Sequence, residues 1–170
     1  MENPSLSPYD PAWEGLFPLG PSFTFLSFGC LSDGIVEVEA ERKIRGYPSL
    51  GMLPSIECSM LEAQTRRTAG HLRLTLGYNE SLFYYGHIGY SVYPFYRGNA
   101  FALRACKLIR PVALAYRHKH LLITCNPDNY PSKRTCENLG AHLLGEVEVP
   151  AWHDLFLQGE TRKLVYLWEV

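Results

Sequence analysis

The chain has 170 residues, of which 46% are hydrophobic and 19% charged. That length suits a single domain, and that composition excludes a chain disordered throughout. With 16 basic against 17 acidic side chains the formal net charge is -1, which argues against a general electrostatic grip on nucleic acid or an anionic membrane.

The first 22 residues carry Pro4, Pro8, Pro11, Pro18 and Pro21. Each proline removes a donor and fixes one backbone angle, so an irregular lead-in is expected, packed through Trp13, Leu16 and Phe17. Met1 to Asp10 lacks the basic and apolar regions of a signal peptide. No run of 18 or more apolar residues occurs, so no membrane-spanning helix is expected. Cysteines stand at 30, 58, 106, 125 and 136. The odd count and the absence of a Cys-x-x-Cys pair read as reduced thiols in a cytoplasmic protein.

Residues 23–45 fit two patterns. Val36, Val38 and Ala40 alternate with Glu37, Glu39 and Glu41, which suits a strand face, yet the same residues suit a Glu-rich helix. Gly46 to Pro54 reads as a loop. Ile56–Ala63 and Gly70–Leu76 read as strands joined by the turn Gln64–Thr68. Gly77 to Leu82 reads as a connection, and Phe83–Val92 as the strongest strand, ended by Pro94. A helix begins near Ala100, with a kink expected at Pro111 and an end near Arg117. His120–Cys125 reads as a buried strand. Ser132–Leu139 reads as a helix stopped by Gly140. Leu143–Val149 and Arg162–Val170 form a final strand pair around an irregular excursion, Pro150 to Thr161. Strands and helices alternating in the second half imply an α/β architecture with a parallel pair inside a mixed sheet.

The informative stretch is GHIGYSVYPFYRGNAFA, from Gly86 to Ala102. A strand runs into an Arg/Gly loop that opens a helix. A helix start presents unpaired N–H groups and the positive end of the helix dipole, so it can bind a phosphate or pyrophosphate. Small residues at Gly98, Ala100 and Ala102 allow close backbone approach, and Arg97 adds charge.

This segment resembles the acetyl-CoA-binding motif of the GNAT superfamily of N-acetyltransferases, Arg/Gln-x-x-Gly-x-Gly/Ala. Arg97, Ala100 and Ala102 match it, with Ala100 in place of the first glycine. Ile123 to Ala141, ITCNPDNYPSKRTCENLGA, is similar to the family's second strand-turn-helix through Asn129, Ser132, Leu139 and Gly140. GHIGYSV and the upstream HLRLTLGYNESL look most like a bacterial group of acetyltransferases of unassigned substrate. The resemblance runs from about Leu53 to the C-terminus, and residues 1–50 match nothing in it.

The resemblance implies a single domain with a mostly antiparallel mixed sheet, a splayed central parallel pair (Gly86–Tyr93 and His120–Cys125) and flanking helices. It implies acetyl-CoA as cosubstrate, no metal, a small-molecule or peptide amine acceptor attacking directly in a ternary complex, and a homodimer as in many members. The cofactor would meet Tyr90, Ser91 and Val92 on the strand, Arg97, Gly98, Asn99, Ala100, Phe101 and Ala102 in the loop, and Asn129 and Ser132 opposite. Gly86 occupies the usual position of the carboxylate base, which makes its neighbour His87 the local substitute. Cys136 occupies the position of the usual tyrosine acid, with Tyr130 nearby as the alternative. Each has a plainer reading: His87 as a sheet residue with a hydrogen-bond partner, Cys136 as a buried thiol, Ser132 as a helix cap. A CoA-binding module without catalysis, or an assembly domain without cofactor, are the alternatives to an enzyme.

Overall fold

The computed structural model describes residues 5–19 and 23–170. Pro4 and Pro21 of the expected lead-in lie outside them. The elements in chain order are α1 (Ala12–Leu16), β1 (Leu31–Ser32), β2 (Val36–Ile44), β3 (Ser55–Glu62), β4 (Thr68–Thr75), α2 (Glu80–Tyr85), β5 (Ile88–Val92), α3 (Phe101–Ala115), β6 (His120–Cys125), α4 (Tyr130–Leu139), β7 (His142–Glu148), α5 (Asp154–Leu157) and β8 (Arg162–Glu169).

Strands β1 to β5 form one antiparallel sheet in sequence order, and β6-β8-β7 form a second. The alternation in β2 resolves as a strand. Val36 and Val38 are fully buried, while Glu37 and Glu39 face out and both pair with Arg66 of the β3–β4 turn. Helix α3 packs against β2, β4 and β5, so Ala105 and Ile109 share the main core with Ile56, Leu72 and Leu74. A second apolar cluster joins the lead-in to the second sheet through Trp13, Phe17, Phe83, Leu122 and Val165.

Two sequence expectations change. Phe83–Val92 is not one strand: Tyr85 ends a short helix and the strand begins at Ile88. The Asn79 side chain accepts the Leu82 N–H at 2.9 Å, which caps the helix, and Gly86 ends it at φ +76°. A capping Asn before the helix and a Gly after it are local signals that outweigh the β propensity of Phe and Tyr. Helix α3, for its part, continues through Pro111 to Ala115. Pro111 lies on the exposed side, and so does Lys107, the residue whose carbonyl loses its partner to the ring. The helix stops two residues short of Arg117, which adopts φ +65°.

Among the described residues the two sheets are joined by backbone hydrogen bonding at His87 and Leu122. The His87 N–H donates to the Leu122 carbonyl at 2.7 Å, and the Leu122 N–H donates to His87 Nδ1 at 3.0 Å. His87 Nε2 donates to the Gly77 carbonyl at 2.9 Å, the Gly77 N–H donates to His118 Nε2 at 2.8 Å, and His118 Nδ1 donates to the Tyr116 carbonyl at 3.1 Å. The accepting nitrogen of each ring fixes its tautomer, so both imidazoles are neutral. Phe17 lies against His87, ring centroids 4.1 Å apart, and near His118. Burial, reinforced by the neighbouring His118, pulls the His87 imidazole down to about 3, and burial pulls His118 down as well.

A histidine whose pKa is depressed on folding binds more protons unfolded than folded between the two values. The pair's contribution to stability is therefore complete above the unfolded value of about 6.5 and lost as pH falls toward the folded one. We expect the urea midpoint to fall between pH 7 and pH 5, and the fall to be shallower in His87→Asn, whose amide offers a donor and an acceptor. An unchanged slope in the variant overturns the assignment.

Candidate functional site

Past the His87–Leu122 contact, β5 and β6 part. Among the described residues all ladders of the two sheets are antiparallel, and none joins β5 to β6. Gly86 makes the close approach possible. A Cβ there would stand 3.0 Å from the Thr124 nitrogen and 3.1 Å from the Leu122 carbonyl oxygen, at a φ that L side chains rarely adopt.

The opened edge of β5 follows from the ladder on its other side. The Thr75 N–H donates to the His87 carbonyl and the Tyr93 N–H to the Ala69 carbonyl, both at 2.8 Å. In an antiparallel strand the N–H and C=O of one residue point the same way and successive residues alternate. Within β5 the odd-numbered Gly89 and Ser91 thus serve β4, and the backbone groups of Tyr90 and Val92 face the split; at His87, just before the strand, the C=O serves β4 while the N–H turns to Leu122. Arg97 Nε donates to the Val92 carbonyl at 3.0 Å, which ties the loop back to the strand end; among the described residues the outer guanidinium nitrogens have no partner.

The loop then turns through two left-handed residues, Gly98 at φ +82° and Ala100 at φ +56°. Ala100 is the residue before α3 and provides no side-chain cap. The first backbone bond into the helix is from the Arg104 N–H to the Ala100 carbonyl at 3.0 Å. Among the described residues the N–H groups from Gly98 to Leu103 have no backbone acceptor. They sit at the positive end of a 15-residue helix, an arrangement that binds phosphate. The Asn99 side chain donates to the Tyr96 and Arg97 carbonyls at 3.3 and 3.2 Å, holding the turn closed. An alanine held in the left-handed region costs on the order of 1 kcal/mol.

Across the split, α4 is capped by Asn129, whose side chain accepts the Ser132 N–H at 3.2 Å. The Ser132 hydroxyl is hydrogen-bonded to the Tyr90 hydroxyl at 2.7 Å. That bond joins the β5 side of the split to α4 beneath the opening. It occupies the Ser132 hydroxyl, and Asn129 keeps its amide NH2 available. Cys136 lies fully buried below, and burial pushes its thiol up to about 12. Cys106 and Tyr90 are pushed up by burial too. Tyr130, by contrast, is exposed, with the Lys133 ammonium over its ring.

His87, Cys136 and Tyr130 are therefore not brought together. His87 has both ring nitrogens engaged in the core, and Cys136 sits beneath Tyr90. What sequence reasoning missed is the outer face of the first sheet. His71 stands opposite Ser91, and Arg73 opposite Gly89. His71 Nε2 is hydrogen-bonded to the Tyr93 hydroxyl at 2.7 Å, and its Nδ1 is 3.9 Å from a Glu41 carboxylate oxygen. The other Glu41 oxygen accepts from Ser59. A cavity of about 380 Å3 lies over this face, lined by Glu41, Glu57, His71, Arg73, Gly89 and Ser91 among others. The signal in the sequence was the alternation His71-Leu72-Arg73-Leu74, which puts both polar side chains on the face away from the core. A larger cavity, about 680 Å3, shares Arg73 and extends to Tyr85, Trp152 and Asp154. Among the described residues no group of three or more His, Cys, Asp or Glu could hold a metal ion, and no helix is long and apolar enough to cross a membrane.

No family model and no curated protein matches the chain. Solved structures do. An acetyltransferase of the GNAT family from Bacillus anthracis superposes with a TM-score of 0.60 at 14% identity, covering 82% of this chain and 98% of that one. A ribosomal-protein-S5-alanine acetyltransferase from Vibrio fischeri gives 0.52 at 18% identity over 68% of this chain and 61% of that one. The microcin C7 self-immunity acetyltransferase in complex with acetyl-CoA and AMP gives 0.51 at 19% over 68% and 61%. The chain thus spans less than two thirds of the length of the latter two. The split pair of strands, the helix after it and these superpositions together show that the chain has the GNAT acetyltransferase fold.

Proposed function

We propose that the protein transfers an acetyl group from acetyl-CoA to a primary amine. One observation carries this reading: the open edge of β5 leads straight into the run of unpaired N–H groups from Gly98 to Leu103. The pantetheine arm would pair with Tyr90 and Val92 as an added strand, with Ser91 on the outer side. The pyrophosphate would rest on Arg97, Gly98, Asn99, Ala100, Phe101 and Ala102. The Val92 N–H would donate to the thioester oxygen, where negative charge grows as the amine adds to the carbonyl carbon. Collapse of that tetrahedral state breaks the C–S bond and yields the amide and the CoA thiol, which takes up a proton.

The amine must lose a proton to react. The imidazole open to this face is His71, which we assign as the proton acceptor in preference to the enclosed His87. Glu41 and Tyr93 hold its ring from either side. Of Cys136 and Tyr130, only Tyr130 is open to solvent and able to return a proton to the thiolate. The enclosed positions of His87 and Cys136 equally favour a second reading, a domain that holds CoA without turnover. Release of free thiol from acetyl-CoA in the presence of amines separates the two.

Calorimetric titration with acetyl-CoA is expected to give micromolar binding, and Arg97→Glu to weaken it at least tenfold; unchanged affinity removes the loop from the cofactor site. Ala100→Gly relieves the left-handed alanine and is expected to raise the melting temperature by about 2–4 °C with cofactor binding retained. His71→Ala is expected to lower turnover about 100-fold while acetyl-CoA affinity stays within a factor of two. Full activity in that variant returns the proton transfer to another group.

A further inference from the structure

The larger cavity carries chemistry that the cofactor does not use. It lies between residues 50–53, α2 and the α5 excursion, and through Arg73 it adjoins Gly89 on the open strand. One wall is pinned. His153, 1% exposed, donates from Nε2 toward the Ser81 hydroxyl and carbonyl at 3.0 and 3.1 Å, and its Nδ1 accepts the Leu155 N–H at 3.1 Å. The residues on either side, Trp152 and Asp154, are thereby held at the cavity wall. Trp152 is 56% exposed, and Leu50 and Met52 are exposed on the opposite side.

Two opposite charges share this space. Among the described residues neither Arg73 nor Asp154 forms an ion pair. The other acidic residue of the lining, Glu80, accepts from the Tyr9 hydroxyl instead. Tyr85 lines the same cavity: its hydroxyl is pushed up by burial and then by the Asp154 carboxylate, to which it is also hydrogen-bonded, and pulled down by Arg73. A cation and an anion without ion-pair partners among the described residues, and an apolar wall at one opening, match a ligand that has all three features.

We propose that this cavity is the acceptor subsite and that it takes an amino acid with a large apolar side chain as its zwitterion. The ammonium meets Asp154, the carboxylate meets Arg73, and the side chain covers Trp152, Leu50 and Met52. The proposal rests on the acetyl-transfer reading for the word acceptor, and its binding can be measured without any turnover.

Trp152 is the reporter, because Trp13 and Trp168 are buried. Its emission is followed as L-phenylalanine is added, with L-phenylalaninamide, phenethylamine and 3-phenylpropionate as probes that lack one charge. Saturable quenching by L-phenylalanine is expected, at least tenfold weaker for each probe. Asp154→Asn and Arg73→Gln should each weaken it at least tenfold, and Trp152→Phe should remove the signal while calorimetry still detects the ligand. No saturation up to about 10 mM L-phenylalanine, or equal binding of the amide or of phenethylamine, overturns the proposal. Acetyl-CoA is titrated in parallel. If it binds and L-phenylalanine does not, this inference fails alone; if L-phenylalanine binds and acetyl-CoA does not, the acetyl-transfer reading and the acceptor role fail together.

Discussion

The protein is organised around one backbone contact that is made and then not repeated. His87 and Leu122 exchange two hydrogen bonds, one to the backbone and one to the imidazole. Beyond them the two sheets diverge. A second backbone-to-backbone pairing would zip β5 onto β6 and consume the edge that faces the split. Putting a histidine ring where a ladder bond would continue satisfies the Leu122 N–H without extending the sheet. The ring then passes the connection on through Gly77 to His118 and the end of α3. Buried polar groups of this kind are costly unless every donor and acceptor is used, and here all four ring nitrogens are used. The enclosed position of His87 is thus the condition for an open strand edge beside it.

That division of labour runs through the first sheet. Its inner face is apolar and is filled by α3, which sets the helix start where β5 ends. Its outer face carries Glu41, Glu57, His71, Arg73 and Ser91, which leave a polar floor under two adjoining cavities. Strand alternation makes the two faces inseparable: each buried Leu72 and Leu74 commits a neighbour, His71 or Arg73, to the opposite side. The excursion before β8 completes the outer side because His153 fastens it to α2. Three histidines, His87, His118 and His153, thus act as fixed connectors, while His71 stays open to solvent.

The local chemistry of the chain was enough to determine a good deal. The Arg97–Ala102 loop, strand His120–Cys125, the Asn129 cap and the Gly140 stop all depend on short-range rules, because turns, caps and left-handed positions are selected within a few residues. Where the sequence reading erred, two local signals competed. Aromatic residues at 83–85 favour a strand, but Asn79 and Gly86 bracket a helix. Pro111 disfavours a helix, but on an exposed face the lost hydrogen bond is tolerated.

Tertiary structure alone decided which polar side chains are enclosed and which stay open. Neighbours in sequence such as His87 and Gly86 look like site residues until β6, 35 positions away, closes over the ring. Cys136 was expected from the resemblance to act as an acid, yet Tyr90 and Ser132 are bonded to each other beside it and the thiol is buried. Conversely, His71 and Tyr93, 22 residues apart, become partners only through the register of β4 with β5. Arg73 and Asp154 come to one cavity only because His153 docks a distant loop onto α2. Sequence determines backbone conformation over a few residues, because those forces are local. Burial, exposure and the pairing of distant charges are set by long-range packing, and no short window of the chain contains that information.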